Sequence, residues 1–338
     1  MQTKTITPEM ILADLAKMSA HDKEKGLFIV QTANEALNQA KTRPIPQMLF
    51  SQFWYEGELC IFFASANVGK SILAVQIGNS ISSGEAIQGF TFEAKKQPVL
   101  YFDFELSDKQ FENRYSESYA KHYSFDDNFR RVEINPNAEI PNGQTFEDFL
   151  STSLEQCVIE TGAKVLIIDN LTYLRNETEK AKEASPLMKH LKALKAKYGL
   201  SILVLAHTPK RDLSKQLTRN DLQGSSMLMN FCDSAFALGE SHSDKNLRYL
   251  KQIKQRNCEQ IYDTENVIVC QISKPSNFLQ FEFLNYGNEN QHLKQASEKD
   301  RENLVSKAKE LSEQGKSQRA ISHELGISLG AVNKYLKA

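Results

Sequence analysis

The segment that most constrains this chain runs from Ile61 to Gly84 and reads IFFASANVGKSILAVQIGNSISSG. An apolar run comes first, a loop of small residues follows and ends in Gly69-Lys70-Ser71, and the next residues are apolar at helical spacing. This order predicts a strand, a loop that cradles phosphates and a helix, the context in which the pattern G-x-x-x-x-G-K-[ST] has meaning. The alternative is an accidental Gly-Lys-Ser match.

A loop of this kind turns backbone N–H groups toward phosphates, and the dipole of the following helix favours negative charge. We expect Lys70 to reach the β- and γ-phosphates of a nucleotide and Ser71 to offer its hydroxyl to Mg²⁺. Ala64 replaces the first glycine of the pattern, which costs little only if that residue keeps a negative φ. The residues predicted to bind the nucleotide are Ala64, Ser65, Ala66, Asn67, Val68, Gly69, Lys70, Ser71 and Ile72.

Three later apolar runs each end in polar residues, as buried parallel strands with functional tips do. The first ends in Asp103 and Glu105, where a carboxylate is placed either to orient an attacking water or to cap the next helix. The second ends in Asp169, the Walker B pattern that delivers a carboxylate to Mg²⁺. The third ends in His207, which either contacts the γ-phosphate and reports hydrolysis or has a structural role.

Two basic segments follow these runs. Lys254 and Arg256 are spaced by two on a predicted strand and so project to the same side. They form either a solvated edge or a pair that reaches the nucleotide of an adjacent subunit. The loop from residue 209 to residue 223 either contacts a phosphodiester backbone or is a mobile surface loop. Its candidate DNA-binding residues are Lys210, Arg211, Lys215 and Arg219.

Residues 300–338 change character and predict three short helices. Apolar residues at helical spacing and a turn at Gly326 are typical of a helix-turn-helix. Ser328 is the expected cap of the recognition helix, and Ser328, Asn333 and Lys334 are the expected contacts in a DNA groove. The alternative is a three-helix interaction module that does not bind DNA. Residues 1–45 predict a helical N-terminal segment, and the polar residues 286–299 predict a linker.

The charge balance excludes a strong global attraction to nucleic acid, because 41 basic and 42 acidic residues leave a net charge of -1. Any contact with DNA must therefore be local. Five widely spaced cysteines indicate buried thiols in a reducing compartment. The sequence shows neither a signal peptide nor an apolar run that could span a bilayer, so we expect a cytoplasmic protein without membrane contact.

With these residues in place, the chain resembles the RecA-like family of P-loop ATPases. Within that family it is most similar to the plasmid RepA-type and DnaB-type hexameric replicative helicases, with a resolvase-like helix-turn-helix appended. The resemblance covers residues 46–285 and implies an α/β fold with a mostly parallel sheet flanked by helices. The positions that match the family's catalytic and binding motifs are the loop 64–71, Glu105, Asp169, His207, Lys254 and Arg256.

The resemblance also implies function. It implies a homo-hexameric ring with ATP and Mg²⁺ at the subunit interfaces and single-stranded DNA in the central channel. We therefore expect an ATP-driven motor on DNA, a helicase serving replication or mobilisation of a plasmid or mobile element, with duplex DNA bound by the C-terminal helices. The alternative is a regulatory or recombination ATPase in which ATP binding switches oligomerisation and site-specific duplex binding without unwinding.

Overall fold

The chain forms two compact units, the first ending at Pro46 and the second starting at Gln47. Within the two units, the computed structural model describes residues 28–170, 184–222, 225–295 and 298–337.

The described part of the first unit contains one helix, α1 (Ala33–Ala40). Thr32 caps it, because its hydroxyl accepts from the Glu35 N–H at 3.2 Å while the Glu35 carboxylate accepts from the Thr32 N–H at 2.7 Å. This reciprocal capping box satisfies amides that the helix itself leaves free. No residue of α1 is buried. The helices predicted before residue 28 lie outside the described residues.

The second unit is built around a large sheet. Its strands alternate along the chain with helices, the pattern that produces a parallel sheet. In chain order the strands are β1 (Met48–Phe50), β2 (Trp54–Tyr55), β3 (Leu59–Ala64), β4 (Val99–Asp103), β5 (Ser116–Glu117), β6 (Lys121–His122), β7 (Phe129–Val132), β8 (Val165–Asp169), β9 (Ser201–His207), β10 (Ser234–Glu240), β11 (Leu247–Lys254), β12 (Val267–Ser273) and β13 (Gln280–Gly287).

Nine of these strands form one sheet in the order β13-β12-β11-β10-β3-β9-β8-β4-β7, as far as the described residues extend. The strands from β10 to β7 in this order run parallel, and β11 to β13 extend the sheet antiparallel beside β10. The strand β9 separates β3 from β8. The predicted fold class, α/β with a mostly parallel sheet flanked by helices, is confirmed.

The parallel direction of these strands brings the C-terminal ends of four strands, three of them polar, to one edge of the sheet. Ala64 pairs in register with His207, and Asp103 pairs in register with Asp169. Carboxyl ends of parallel strands are where open α/β sheets bind ligands. The sheet therefore places Ala64, Asp103, Asp169 and His207 at a single edge.

Both faces of the sheet are buried, which explains the continuous apolar runs in the sequence. Along β3, Cys60 and Phe62 face one core and Ile61 and Phe63 face the other. The helices that cover the faces or join the strands are α2 (Lys70–Ser83), α3 (Asp108–Arg114), α4 (Phe146–Thr161), α5 (Ala184–Tyr198) and α6 (Ser225–Phe231).

The predicted linker 286–299 is wrong over its first part. Strand β13 continues to Gly287, and Glu289 and His292 are buried in the core. Glu289 forms an ion pair of 2.5 Å with the buried Lys251. A polar composition predicts a solvated linker, but these polar side chains are buried with specific partners, and those partners lie far away in the sequence.

The C-terminal residues form three helices, α7 (Glu298–Glu313), α8 (Gln318–Leu325) and α9 (Leu329–Lys337). Their small core contains the apolar residues that the sequence pattern selected, among them Ile321, Leu325, Ile327 and Val332. Gly326 ends α8 with a φ of 64°, a left-handed conformation that favours glycine. A three-residue turn therefore joins α8 to α9.

The five cysteines all carry free thiols, and three of them, Cys60, Cys232 and Cys270, are buried. These three pack as small apolar side chains, as the sequence predicts, whereas Cys157 and Cys258 are only partly buried. Among the described residues, no helix has both the length and the apolar character needed to cross a membrane.

Candidate active site

The phosphate-binding loop starts at the end of β3. Ala64 is the last residue of that strand and is fully buried between its neighbours in the sheet. Its backbone is therefore extended, and the absence of the first glycine costs nothing here. Gly69 does require its glycine, because its φ is 110° and an added Cβ would lie 2.8 Å from Ile272 and 2.9 Å from Phe281.

The loop delivers the N-terminus of α2 to the site. Gly69 is the N-cap, and no side chain caps the helix, so its first N–H groups are free to bind an anion. Lys70 and Ser71 stand in the first turn, and both are buried. The loop is held from outside by Arg248 on β11, whose Nε donates to the Val68 carbonyl at 3.1 Å. No sequence pattern pointed to Arg248.

Asp169 lies at the centre of the site and is completely buried. Its Oδ2 accepts from the Tyr101 hydroxyl at 2.8 Å, while its Oδ1 finds no hydrogen-bond partner among the described residues. Burial raises the pKa of this carboxyl to about 6, although the Lys70 charge and the Ser71 hydroxyl lower it. An unpartnered carboxylate oxygen beside a serine hydroxyl is a suitable donor set for Mg²⁺, whose remaining ligands would be phosphate oxygens and water.

Glu105 stands in the turn that follows β4. Asn170 Nδ2 donates to Glu105 Oε1 and lies 2.9 Å from His207 Nε2, which is itself 3.4 Å from Glu105 Oε1. The contact with His207 lowers the pKa of Glu105, desolvation opposes this effect, and the Lys70 charge lowers the pKa further. Glu105 is thus an ionised carboxylate at the site, linked by Asn170 to His207.

Asp103 has a different role from Glu105. Its Oδ1 accepts from the N–H groups of Glu105 at 3.2 Å and Leu106 at 3.0 Å. The cap of the next helix is Ser107, with Gln110 completing a capping box. Neither carboxylate therefore caps the next helix: Asp103 holds the turn, and Glu105 lies beside Asn170 and His207. The water-orienting role of Glu105 stays a prediction.

Arg114 supplies a further positive charge that sequence reasoning missed. It is the last residue of α3, and its charge contributes to the low pKa of Glu105. The Nη1 atom of Arg114 is buried and has no hydrogen-bond partner among the described residues. A buried guanidinium donor beside an anion site is suited to bind phosphate oxygens.

The structure does not bring Lys254 and Arg256 to this site. Lys254 pairs with Ala235 near the start of β10, at the sheet edge opposite the phosphate-binding loop. The Arg256 Nη1 lies 3.0 Å from an Asp233 carboxylate oxygen, and Lys254 Nζ donates to the Cys232 carbonyl at 2.7 Å. These two cations cannot serve the nucleotide of their own chain.

In the described part of the basic loop after His207, the structure contradicts one of the four predicted DNA contacts, Arg211. The Arg211 side chain is only 9% exposed; it lies 3.6 Å from Asp221, and its Nη2 donates to the Lys215 carbonyl. It packs against the loop itself because the loop folds back on the core. Lys210, Lys215 and Arg219 remain exposed.

The predicted DNA contacts of the C-terminal helices are exposed. Ser328 caps α9, because its hydroxyl accepts from the Ala331 N–H at 3.2 Å. Asn333 and Lys334 lie on the exposed side of the same helix. The cap is as the sequence predicts, and the DNA contacts stay a prediction.

A mostly parallel sheet with a phosphate-binding loop after β3 and an acidic tip on β8 defines a P-loop ATPase of the RecA-like type. Residues 30–212 match the family described as AAA domain, which is more than half of the chain. The chain therefore belongs to this AAA domain family.

Among the solved structures to which the chain is similar is a KaiC-like protein from the hyperthermophilic archaeon Pyrococcus horikoshii OT3. The two chains are 15% identical with a TM-score of 0.45, and the match covers 68% of this chain and 91% of the other. None of the curated proteins that were compared matches the sequence.

The raised pKa of Asp169 predicts that its charge costs stability in the absence of ligands. The carboxyl ionises near pH 4 when unfolded, and its folded pKa is about 6, so wild-type stability falls as the pH rises between these values. Asp169→Asn should therefore raise the free energy of unfolding by about 1–3 kcal/mol at about pH 8 and by much less at about pH 4.5.

Urea denaturation at the two pH values measures this difference. Asp126→Asn is the matched control, because the hydrogen bond from Lys96 lowers the pKa of Asp126 and its removal should bring no gain. A loss of stability in Asp169→Asn at both pH values would contradict the account.

Proposed function

We propose that this protein is a Mg²⁺-dependent ATPase that couples hydrolysis to movement on single-stranded DNA, as a homo-hexameric DNA helicase for replication or mobilisation of a plasmid or mobile element. The observation that carries the hydrolytic part is the cluster of Glu105, Asn170 and His207 beside the free N-terminus of α2. A protein that only binds nucleotide has no need for an ionised carboxylate at that position.

The loop 64–72 and Lys70 would bind the nucleotide phosphates, and Ser71 and Asp169 would hold Mg²⁺. When bound there, Mg²⁺ would supply neutralisation of charge on the phosphate oxygens. Glu105 then orients a water molecule in line with the γ-phosphate and accepts its proton, a role that requires the ionised carboxylate, which the lowered pKa maintains. Asn170 and the neighbouring His207 fix the direction of the Glu105 carboxylate.

The loop after His207 supports the coupling to DNA. It continues directly from the strand tip that contacts Glu105 and carries the exposed Lys210, Lys215 and Arg219. The loop is anchored at Leu217, whose N–H donates to Glu289 at 2.6 Å and whose carbonyl accepts from Lys251 at 3.0 Å. A shift at His207 would therefore move Lys210 and Lys215, which lie between His207 and this anchor.

The position of Arg256 supports a ring. It lies at the edge of the sheet opposite the nucleotide site of its own chain. Its side chain is half-exposed and forms an ion pair with Asp233. A head-to-tail ring would bring this edge to the phosphate-binding edge of the next subunit. There Arg256 would stabilise charge on the transferring phosphoryl group, with Lys254 beside it.

The C-terminal helices support a second DNA contact. The exposed Ser328, Asn333 and Lys334 lie on α9, which a three-residue turn joins to α8. A helix presented in this way fits the major groove of duplex DNA. If duplex DNA alone changes turnover, the protein is instead a regulatory or recombination ATPase.

Steady-state ATP hydrolysis without DNA, with single-stranded DNA and with duplex DNA tests the proposal. We expect single strands to raise turnover by about fivefold or more, an effect that weakens as salt rises. Lys215→Gln combined with Arg219→Gln should lose most of that stimulation. Lys95→Gln combined with Lys121→Gln removes the same charge from exposed positions elsewhere and should keep it.

Stimulation by duplex DNA only, or no response to either form of DNA, would contradict the motor and favour the regulatory ATPase. Equal stimulation in both double variants would remove the loop 209–223 from the DNA contact.

Mixing of subunits tests the shared site. Arg256→Ala and Glu105→Gln should each lose hydrolysis by about 10²-fold or more while keeping nucleotide binding. In an equal mixture, about one interface in four carries both intact side chains, so activity should reappear. Hydrolysis that stays at the level of the separate variants, in a mixture shown to exchange subunits, would contradict the ring.

A further inference from the structure

We infer that Arg131 is a positioning residue for Glu105: from the neighbouring strand, its guanidinium holds the turn that presents the Glu105 carboxylate to the nucleotide. The inference rests on the proposed role of Glu105 in hydrolysis. It concerns a residue on β7, the edge strand beside β4, which no sequence motif marks.

Arg131 pairs in register with Tyr101 and reaches beyond the end of β4. Its Nε donates to Asp103 Oδ2 at 2.9 Å, and its Nη2 donates to the Leu106 carbonyl at 2.6 Å. Its Nη1 donates to Asp108 Oδ1 at 2.7 Å. One guanidinium thus contacts the residue before the turn, a residue within it and the first residue of the next helix.

Asp103 holds the same turn from the other side. One carboxylate oxygen of Asp103 receives the Arg131 guanidinium, and the other accepts the N–H groups of Glu105 and Leu106. The Asp103 side chain is not exposed at all, so its charge depends on Arg131 for compensation. Asp103 therefore fixes the N–H groups of the turn, and Arg131 fixes the Leu106 carbonyl.

The guanidinium is itself fixed in place. Its central carbon lies 4.8 Å from the ring centre of Phe111, and its Nη2 lies 2.9 Å from a Glu133 carboxylate oxygen. Arginine suits this position because its planar fork donates in several fixed directions at once, which a lysine ammonium does not do.

This arrangement separates the positioning of Glu105 from the binding of nucleotide. The phosphates are bound by the loop 64–72 and α2, and none of the contacts of Arg131 described above is made with that loop. A displacement of about 1 Å in a catalytic group costs about 10²-fold in rate. Loss of Arg131 should therefore lower turnover and leave nucleotide affinity nearly unchanged.

The test compares Arg131→Gln, Arg131→Lys and Arg130→Gln in kcat, KM for ATP and affinity for a non-hydrolysable ATP analogue. Arg130 is the adjacent exposed arginine on β7 and serves as the matched control. We expect kcat to fall about 10- to 100-fold in Arg131→Gln, with KM and affinity within about twofold of wild type. Arg131→Lys should recover part of the loss, and Arg130→Gln should match wild type.

Arg131→Gln also leaves the Asp103 charge uncompensated, which can impair folding. The double variant Arg131→Gln/Asp103→Asn removes that charge while keeping an oxygen that accepts the turn amides. We expect it to fold with near wild-type stability and to keep a low kcat, because the Leu106 carbonyl still lacks its donor. A folded double variant with wild-type kcat, or one that loses affinity as much as turnover, would overturn the inference.

Glu105→Gln in the same assay distinguishes a failure of the proposed function from a failure of the role inferred for Arg131. If Glu105→Gln hydrolyses ATP normally, the proposed function itself fails. If Glu105→Gln is inactive while the Arg131 variants are fully active, the result supports the role of Glu105 and contradicts the positioning role of Arg131.

Discussion

A buried carboxylate organises this molecule. Asp169 is fully buried at the tip of β8, and one of its carboxylate oxygens accepts from Tyr101 on β4. Its backbone carbonyl accepts from the Phe104 N–H at 2.9 Å, which joins the turn bearing Glu105 to the same point. Lys70 supplies a compensating charge from α2. Burying an ionisable group whose second oxygen lacks a partner costs stability, and binding of a cation would offset that cost.

The positive charges around the site divide into two kinds. Arg131 and Arg248 act on the protein itself, since each fixes a backbone segment whose conformation the site needs. Lys70 stands in the first turn of α2, and the charges of Lys70 and Arg114 both contribute to the low pKa of Glu105. A preorganised site keeps its geometry because its functional groups are held by residues on rigid strands and helices. The precision of the site thus depends on residues that do not contact substrate.

The sequence predicts the local parts of the site well and the long-range parts poorly. The loop 64–72 and the tips at Asp169 and His207 follow from apolar runs and spacing, which are local signals. From sequence alone, alanine in place of the first glycine was acceptable only if residue 64 had a negative φ. The extended end of β3 satisfies this condition. Asn170 follows Asp169 in the sequence, but its role could not be predicted, because it depends on contacts with Glu105 and His207, which lie far away in the chain.

Other features could not be predicted because their partners lie far away in the chain. Arg248 meets Val68 across 180 residues, and Lys251 meets Glu289 across 38. From sequence alone, a polar residue is assigned to the solvent-exposed surface unless its buried partner is known. For this reason the predicted linker starts too early, at residue 286. Arg211 counted as a DNA contact for the same reason, although the fold buries it. The ring and the DNA contacts remain predictions.

The most direct test of the central claim is single-turnover hydrolysis of ATP by Glu105→Gln, with nucleotide affinity measured in parallel. We expect affinity within about threefold of wild type, because the loop 64–72 and Lys70 are unchanged, and a rate of hydrolysis lower by about 10²- to 10⁴-fold. Hydrolysis at the wild-type rate by the folded variant would contradict the assignment of Glu105 and with it the account of the site.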